Sequence, residues 1–123
     1  MRFVVHEHWA RSHHFDFRLE MDGVLKSWAV PKGIPQRAGE RRLAVQVEDH
    51  ELSYIDFEGE IEEGYGKGKV KIFDKGEYEL EDRKDKKMVF ALKGSVLEGR
   101  YTILHWKDKN WLIFKTAGTG KGG

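Results

Sequence analysis

The chain has 123 residues, of which 35% are charged, and its formal net charge at pH 7 is +1. This length fits a single domain that buries its own core, and the balanced charge gives no global argument for a polyanionic ligand. The sequence contains no cysteine, which excludes disulfides and thiolate metal sites. No apolar leader and no membrane-spanning stretch is visible, so we expect a cytoplasmic, monomeric domain.

The first half of the chain reads as short strands, because apolar and polar residues alternate. We predict strands at 2–5, 14–20, 24–30 and 42–48, and the Asp22-Gly23 turn predicts a hairpin between the second and the third. Alternation gives the fourth strand two faces. Its polar face is predicted to carry Arg42, Ala44, Gln46, Glu48 and His50, and its core face Leu43, Val45 and Val47.

The second half continues in the same pattern. A weak strand at 56–61 precedes a glycine-rich loop at 63–68, and an Asp-Lys-Gly turn predicts a hairpin between strands at 69–74 and 78–80. The charged run 83–87 reads as a solvated loop or helical turn, and three final strands are predicted at 88–92, 99–106 and 110–115. No segment has a sustained helical period. We therefore predict an all-β domain over residues 1–116, a single closed or nearly closed barrel of about eight strands with short helical turns, and a flexible tail at 117–123.

Histidines and a carboxylate gather in the run HEHWARSHHFDFRLE at residues 6–20. In a strand, His14, Asp16 and Arg18 share one face, and Phe15, Phe17 and Leu19 share the other. With His8 from the preceding strand, two imidazoles and one carboxylate form the donor set of a catalytic metal site with open positions. The alternative is a chance cluster of histidines on a solvated face. His6 and His13 are weaker candidates, and His105 stands alone.

Basic side chains follow the same run. Arg18 lies two residues beyond Asp16, and Lys32, Arg42 and His50 come from later segments, so together they could hold a phosphate. The alternative is that they are ordinary surface residues. Tyr54 could add a hydroxyl to this site or could pack. The glycine-rich loop lacks P-loop spacing and precedes a strand, so only its Lys67 could contact a backbone phosphate.

The chain resembles one known family through four ordered motifs: HEHWARSHHFDFRLEMDG, LKSWAVPKG, RRLAVQVEDHELSYIDFEGEI and EGYGKG. That family is the 3′-phosphoesterase domain of bacterial DNA ligase D, with its stand-alone archaeal and bacterial relatives. The resemblance runs from Phe3 to about Lys115. It implies a β-barrel enzyme that uses manganese to remove a 3′-terminal ribonucleoside and then the remaining 3′-phosphate, leaving a hydroxyl for a repair polymerase or ligase. The implied substrate is the 3′ end of a DNA or RNA/DNA primer-template.

The resemblance also assigns roles to individual residues. It places the manganese ligands at His8, His14 and Asp16, the phosphate contacts at Arg18, Lys32 and Arg42, and the catalytic histidine at His50, followed by Tyr54. Family members usually carry an arm upstream of the first strand, and here the sequence starts almost at that strand. We therefore expect phosphate removal to be stronger than ribonucleoside removal. The glycine-rich loop is one residue shorter than the usual form, which leaves the role of Lys67 open.

A second hypothesis comes from another class of protein. A non-catalytic β-barrel module could bind nucleic-acid ends through stacking aromatic residues such as Trp9 and recruit a ligase or polymerase. It accounts for the basic residues but not for the set of His8, His14 and Asp16. Metal-dependent phosphate release from a 3′-phosphorylated oligonucleotide separates the two hypotheses.

Overall fold

The computed structural model describes residues 1–64 and 67–116, and this part of the chain is almost entirely strand. One short 3₁₀ helix, Leu52–Asp56, lies between the fourth and fifth strands. The strands are β1 (Arg2–Trp9), β2 (His13–Met21), β3 (Val24–Val30), β4 (Arg41–His50), β5 (Gly59–Ile61), β6 (Gly68–Lys84), β7 (Lys87–Gly94), β8 (Glu98–Lys107) and β9 (Asn110–Lys115).

The strands close into a barrel. The order around the sheet is β1-β2-β3-β4-β9-β8-β7-β6, and β6 pairs with β1 to complete the ring of eight antiparallel strands. The short strand β5 pairs with the beginning of β6 as an addition to the ring. Closure removes the exposed edges that an open sheet would present. The predicted all-β barrel of about eight strands is confirmed.

The inside of the barrel is filled by large apolar side chains. Phe17 and Leu19 point inward with no exposed surface, as the alternation in β2 predicted. Two buried tyrosines satisfy their hydroxyl groups on backbone carbonyls: Tyr78 donates to Glu20 at 2.6 Å, and Tyr101 donates to Pro35 at 2.6 Å. The interior is therefore a packed apolar core, and the polar side chains that could carry chemistry lie on the outside or at a mouth.

A second, smaller core lies on the outer surface of the barrel. Val4 and Leu25 point outward from β1 and β3 and are buried beneath Ile55 of the 3₁₀ helix. Burial of these aliphatic side chains, each worth about 1.5–3 kcal/mol, anchors the 3₁₀ helix against the barrel wall. The helix thereby brings Tyr54 over the outward-facing side chains of β1 and β2.

The hairpin predicted around the Asp-Lys-Gly turn is wrong, because β6 runs without interruption from Gly68 to Lys84. The strand changes partners instead of turning: Gly76 pairs with Phe3 of β1 and also with Gly94 of β7. A Cβ at Gly76 would lie 2.2 Å from the carbonyl oxygen of Lys93, so the close approach requires glycine. The charged run after it is the end of β6 and the turn to β7.

Asp74 does not form the predicted turn but makes tertiary hydrogen bonds. Its carboxylate is 4% exposed and accepts three backbone hydrogen bonds from the loop after β7, from Ser95 at 2.9 Å, Val96 at 3.1 Å and Leu97 at 2.7 Å. Three N–H groups lose a charged acceptor in Asp74→Ala, and hydrogen bonds to charged groups are worth about 1.5–3 kcal/mol each. We expect Asp74→Ala to lower the free energy of unfolding by about 3 kcal/mol or more. Urea unfolding measures this, and Asp82→Ala, at a carboxylate on the same strand whose side chain is 42% exposed, should change stability by less than about 0.5 kcal/mol.

The predicted faces of β4 are wrong. Ala44 is fully buried in the barrel core, whereas Leu43 is 37% exposed, so the side of β4 that carries Arg42 points inward. The pairing with β3 then shifts between Leu25 and Ser27, which marks a β-bulge near the end of β4. The bulge turns His50 to the outer surface. Arg42 and His50 therefore do not share a face.

The predicted tail at 117–123 lies outside the described residues, as do Tyr65 and Gly66 of the glycine-rich loop. In the part of the chain that the structure describes, no helix has the length and apolar character needed to cross a membrane.

Candidate metal centre and phosphate site

The candidate site lies on the outer wall of the barrel, where β1 and β2 pair. His8 is opposite His14 in this pairing, and His6 is opposite Asp16. Side chains at directly paired positions of an antiparallel ladder point to the same face. The register thus brings His6, His8, His14, Asp16 and Arg18 together, and the predicted shared face of the last three is confirmed.

His8, His14 and Asp16 form a compact donor cluster. One ligand atom from each lies within 4.8 Å of the other two. His8 Nδ1 is 3.4 Å from Asp16 Oδ2, and His14 Nε2 is 3.2 Å from Asp16 Oδ1. His14 Nδ1 lies 3.1 Å from the carbonyl oxygen of Ser12, which can only accept a hydrogen bond. That carbonyl fixes the ring and leaves Nε2 as the atom that faces the cluster.

Asp16 is the anionic centre of this cluster. Burial disfavours its charge, but the hydrogen bond from His14 and the positive charge of Arg18 outweigh burial, so the pKa of Asp16 lies below its ordinary value. The same hydrogen bond raises the pKa of His14. A buried carboxylate between two imidazoles attracts a cation, and two nitrogens and one oxygen suit a divalent transition metal with open coordination positions. The residues present therefore fit a catalytic metal.

Arg18 is held rigidly next to the cluster. The residue is 3% exposed. Its Nε donates to His6 Nδ1 at 3.1 Å, its Nη1 donates to Ser27 Oγ at 2.9 Å, and its Nη2 lies 3.4 Å from Asp16 Oδ2. Ser27 in turn donates to the carbonyl oxygen of Leu25 at 3.0 Å. A guanidinium fixed on three sides presents its charge without any loss of side-chain entropy when an anion binds.

His6, which the sequence indicated only as a weaker candidate, is a central residue of this network. Burial and the nearby charge of Arg18 lower the pKa of His6 to about 4, so the ring is neutral at pH 7. Because Nδ1 accepts from Arg18, the proton is on Nε2, which donates to the carbonyl oxygen of Phe57 at 3.1 Å. A signal was present, since His6 precedes His8 by two residues on the same strand face. Ser27 gave no such signal.

We expect His6→Leu to damage both stability and activity. It leaves Arg18 Nε and the Phe57 carbonyl without partners, at a cost of about 1–3 kcal/mol for each buried polar group. Denaturant unfolding with phosphate-release kinetics on the same samples tests this. His6→Gln is the matched control, because its amide offers one acceptor and one donor and should recover part of the loss. Equal losses in the two variants would show that the hydrogen bonds of His6 do not matter.

His50 reaches the same site through the bulge in β4. Its Nδ1 lies 3.1 Å from Arg18 Nη1 and 3.1 Å from the carbonyl oxygen of Glu48. Burial and the positive charge of Arg18 lower the pKa of His50, so its ring is neutral at pH 7. With its proton on Nε2, His50 accepts from Arg18 at Nδ1; with its proton on Nδ1, it donates to the carbonyl oxygen of Glu48.

Tyr54 of the 3₁₀ helix packs against His6, His50 and Arg18. Its ring centroid lies 4.8 Å from that of His50 and 5.2 Å from that of His6, and the Arg18 guanidinium carbon lies 5.0 Å from it. Burial raises the pKa of Tyr54, so its hydroxyl keeps its proton at neutral pH. The structure thus brings Arg18, His50 and Tyr54 together beside the donor cluster.

Within the described residues, Lys32 and Arg42 make no hydrogen bond or ion pair with this group. Arg42 donates to the carbonyl oxygen of Lys32 and lies 3.6 Å from Glu40, at the mouth of the barrel where β2 begins. A cleft of about 430 Å³ opens there. Its lining residues are Phe15, Lys32, Gly33, Ile34, Gln36, Arg37, Glu40, Arg42 and Phe73. Arg42 is therefore joined to the segment of Lys32 and not to Arg18 or His50.

The remaining histidines take no part in the cluster. His13 points to the opposite side of β2 from His14, as alternation predicted, and its Nε2 lies 2.8 Å from Glu7 Oε2. His105 lies on β8, where its Nε2 donates to the carbonyl oxygen of Asp108 at 2.7 Å.

Comparison with known proteins places this geometry in one family. A family model described as the DNA ligase D 3′-phosphoesterase domain matches residues 6–105. Curated relatives include two named multifunctional non-homologous end joining protein LigD. The relative from Mycolicibacterium smegmatis is 44% identical over 93% of this chain and 16% of its own length, and that from Pseudomonas aeruginosa is 46% identical over 94% and 15%.

A third relative, from Mycobacterium tuberculosis, is named multifunctional non-homologous end joining DNA repair protein LigD. It is 46% identical over 92% of this chain and 16% of its own length. The chain thus spans about a sixth of the length of these relatives. The family match includes the whole donor cluster as well as Arg18, His50 and Tyr54. This chain belongs to the DNA ligase D 3′-phosphoesterase domain family.

Proposed function

We propose that this domain is a manganese-dependent 3′-end-healing phosphoesterase. It hydrolyses a 3′-phosphate, and removes a 3′-terminal ribonucleoside, to leave a 3′-hydroxyl for repair. The observation that carries the proposal is the buried set of His8, His14 and Asp16 directly beside the fixed guanidinium of Arg18. A structural metal site has no need of an adjacent buried cation, whereas a phosphoryl-transfer site does.

His8, His14 and Asp16 would hold the metal. Bound there, a divalent ion polarises a phosphoryl oxygen and offsets the charge that develops in the transition state. Other divalent transition metals suit the same donors, since affinity at such a set is not specific to manganese. The raised pKa of His14 means that a proton competes with the metal for its Nε2.

Arg18 and His50 would bind the phosphate. Arg18 is held by His6, Ser27 and Asp16 before any substrate arrives, so it acts as a preorganised positive charge. In the tautomer whose Nδ1 accepts from Arg18, the Nε2–H of His50 would donate a hydrogen bond to the phosphate or a proton to the leaving 3′ oxygen. Tyr54 would add a protonated hydroxyl at the same place.

Lys32 and Arg42 would contact the phosphate backbone from the mouth of the barrel. Phe15, which directly follows His14 on β2, lines the same cleft as Lys32 and Arg42. The names of the relatives place them in non-homologous end joining. We therefore propose DNA or RNA/DNA primer-template 3′ ends as the substrate and a repair ligase and polymerase as partners.

The assay uses two primer-templates with Mn²⁺, one ending in a 3′-phosphate and one in a single ribonucleotide. We expect His50→Ala to slow both reactions about 10²-fold, because both pass through a charged phosphoryl transition state. His105→Ala, the same change at a distant histidine, should leave both rates unchanged. Wild-type protein that binds these ends but releases neither product would favour the non-catalytic end-binding module instead.

A further inference from the structure

A row of aromatic rings lies at the barrel mouth, on the side of the β1–β2 hairpin opposite to the metal ligands. Trp9 at the end of β1 stacks on His13 at the start of β2, with ring centroids 5.4 Å apart and planes 16° from parallel. The row continues inward from His13 to Phe15 at 5.3 Å and from Phe15 to Phe73 at 5.4 Å. Its inner end lines the cleft that also contains Lys32 and Arg42.

The outer pair of this row is open to solvent. Trp9 is 39% exposed, and the side chain of His13 is 48% exposed, whereas Trp28 in the barrel core is 1% exposed. Glu7 fixes the His13 ring through the contact of 2.8 Å with its Nε2. An exposed indole already held flat against a second ring is a preformed stacking surface, which we call the Trp9–His13 platform.

The two residues of the platform are adjacent in sequence to two residues of the metal cluster. Trp9 directly follows the ligand His8, and His13 directly precedes the ligand His14. Only the three residues 10–12 separate the two strands at the rim, and Arg11 is exposed among them. A polymer that crosses this rim passes from the metal cluster, past a guanidinium, to the platform.

The charge of the cleft indicates what kind of polymer fits. Lys32, Arg37 and Arg42 line the cleft against a single carboxylate, Glu40. Aromatic rings interleaved with basic side chains are the surface that single-stranded nucleic acid prefers, since bases stack and phosphates pair with cations. An apolar or cationic ligand would have no use for three cations.

We propose that the Trp9–His13 platform stacks a nucleobase of the substrate strand upstream of its 3′-phosphate, and that the strand continues into the cleft between Phe15 and Arg42. This proposal rests on the proposed function, because it takes the phosphate at the metal cluster as its reference point.

The test measures binding without turnover. A fluorescent single-stranded DNA oligonucleotide with a 3′-phosphate is titrated in the absence of divalent metal with wild type, Trp9→Ala, Trp9→Phe and His13→Ala. Loss of one base–aromatic stack weakens affinity about 5- to 100-fold, so we expect that loss for Trp9→Ala and near wild-type affinity for Trp9→Phe. Trp106→Ala removes a tryptophan that is 63% exposed on β8 and should not change affinity. Circular dichroism checks that each variant is folded.

A second oligonucleotide carries abasic sugars at its last two positions. If the platform reads bases, wild type and Trp9→Ala bind this oligonucleotide equally. Equal weakening of both oligonucleotides by Trp9→Ala, no weakening of either, or no binding by wild type would overturn the platform. If wild type binds in a base-dependent way but releases no phosphate when Mn²⁺ is added, the proposed function alone is contradicted. If wild type releases phosphate but Trp9→Ala binds as tightly as wild type, the platform alone is contradicted.

Discussion

His14→Ala is expected to abolish manganese binding and to lower the rate of 3′-phosphate release about 10⁴-fold. The variant removes one of the three proposed metal ligands and the hydrogen-bond partner of Asp16 Oδ1. Metal catalysis supplies several kcal/mol of transition-state stabilisation, and about 5.5 kcal/mol corresponds to this loss. Isothermal titration with Mn²⁺ and a phosphate-release assay measure the two effects.

The fold should survive this substitution. His14 is half-buried on the outer wall and belongs to neither hydrophobic core, so the barrel interior is untouched. His105→Ala is the matched control, since it removes an imidazole that donates to the backbone carbonyl of Asp108, away from the donor cluster. Full activity with bound manganese in His14→Ala, or loss of the folded circular dichroism signal, would remove His14 from the metal site.

Arg18→Lys is expected to lower kcat about 10³-fold, although the formal charge is conserved. The guanidinium bonds to His6, Ser27 and His50 in three fixed directions, and one ammonium cannot reproduce this fork. Loss of a preorganised donor at a developing charge typically costs about 10²–10³-fold, and the buried acceptors left unsatisfied here place the loss at the upper end. The loss should fall mainly on kcat, because the fork acts on the transition state.

The control for this change is Arg100→Lys. Arg100 also pairs with a carboxylate, Glu81, at 2.6 Å, but it lies on the exposed side of β8. Exposed ion pairs contribute about 0–1 kcal/mol, so neither stability nor kcat should change appreciably. Unchanged kinetics in Arg18→Lys would exclude Arg18 from phosphate binding.

Much of the site was predictable because strands have a period of two. Once the run at 14–20 is a strand, His14, Asp16 and Arg18 must share a face, and pairing with β1 adds His8. The same rule failed in β4, where a bulge reverses the side of His50 relative to Arg42. No residue in VQVEDH marks that bulge.

Two other differences have tertiary causes. The residues Asp74, Lys75 and Gly76 have the composition of a turn. Instead, Asp74 accepts backbone hydrogen bonds from the loop after β7, and Gly76 allows the close approach of the Lys93 backbone. His6 was predictable as a member of the site face, but its role depends on the carbonyl of Phe57, 51 residues away. Local sequence does not reveal a partner at that distance.

The location of bound manganese tests the central claim most directly. Crystals of the domain grown with Mn²⁺ would be measured at the manganese absorption edge, where anomalous scattering identifies the ion and its position. We expect one strong peak bonded to His8, His14 and Asp16, and its loss in Asp16→Ala crystals. A peak elsewhere, or no peak at saturating Mn²⁺, would contradict the assignment of this cluster as the metal centre.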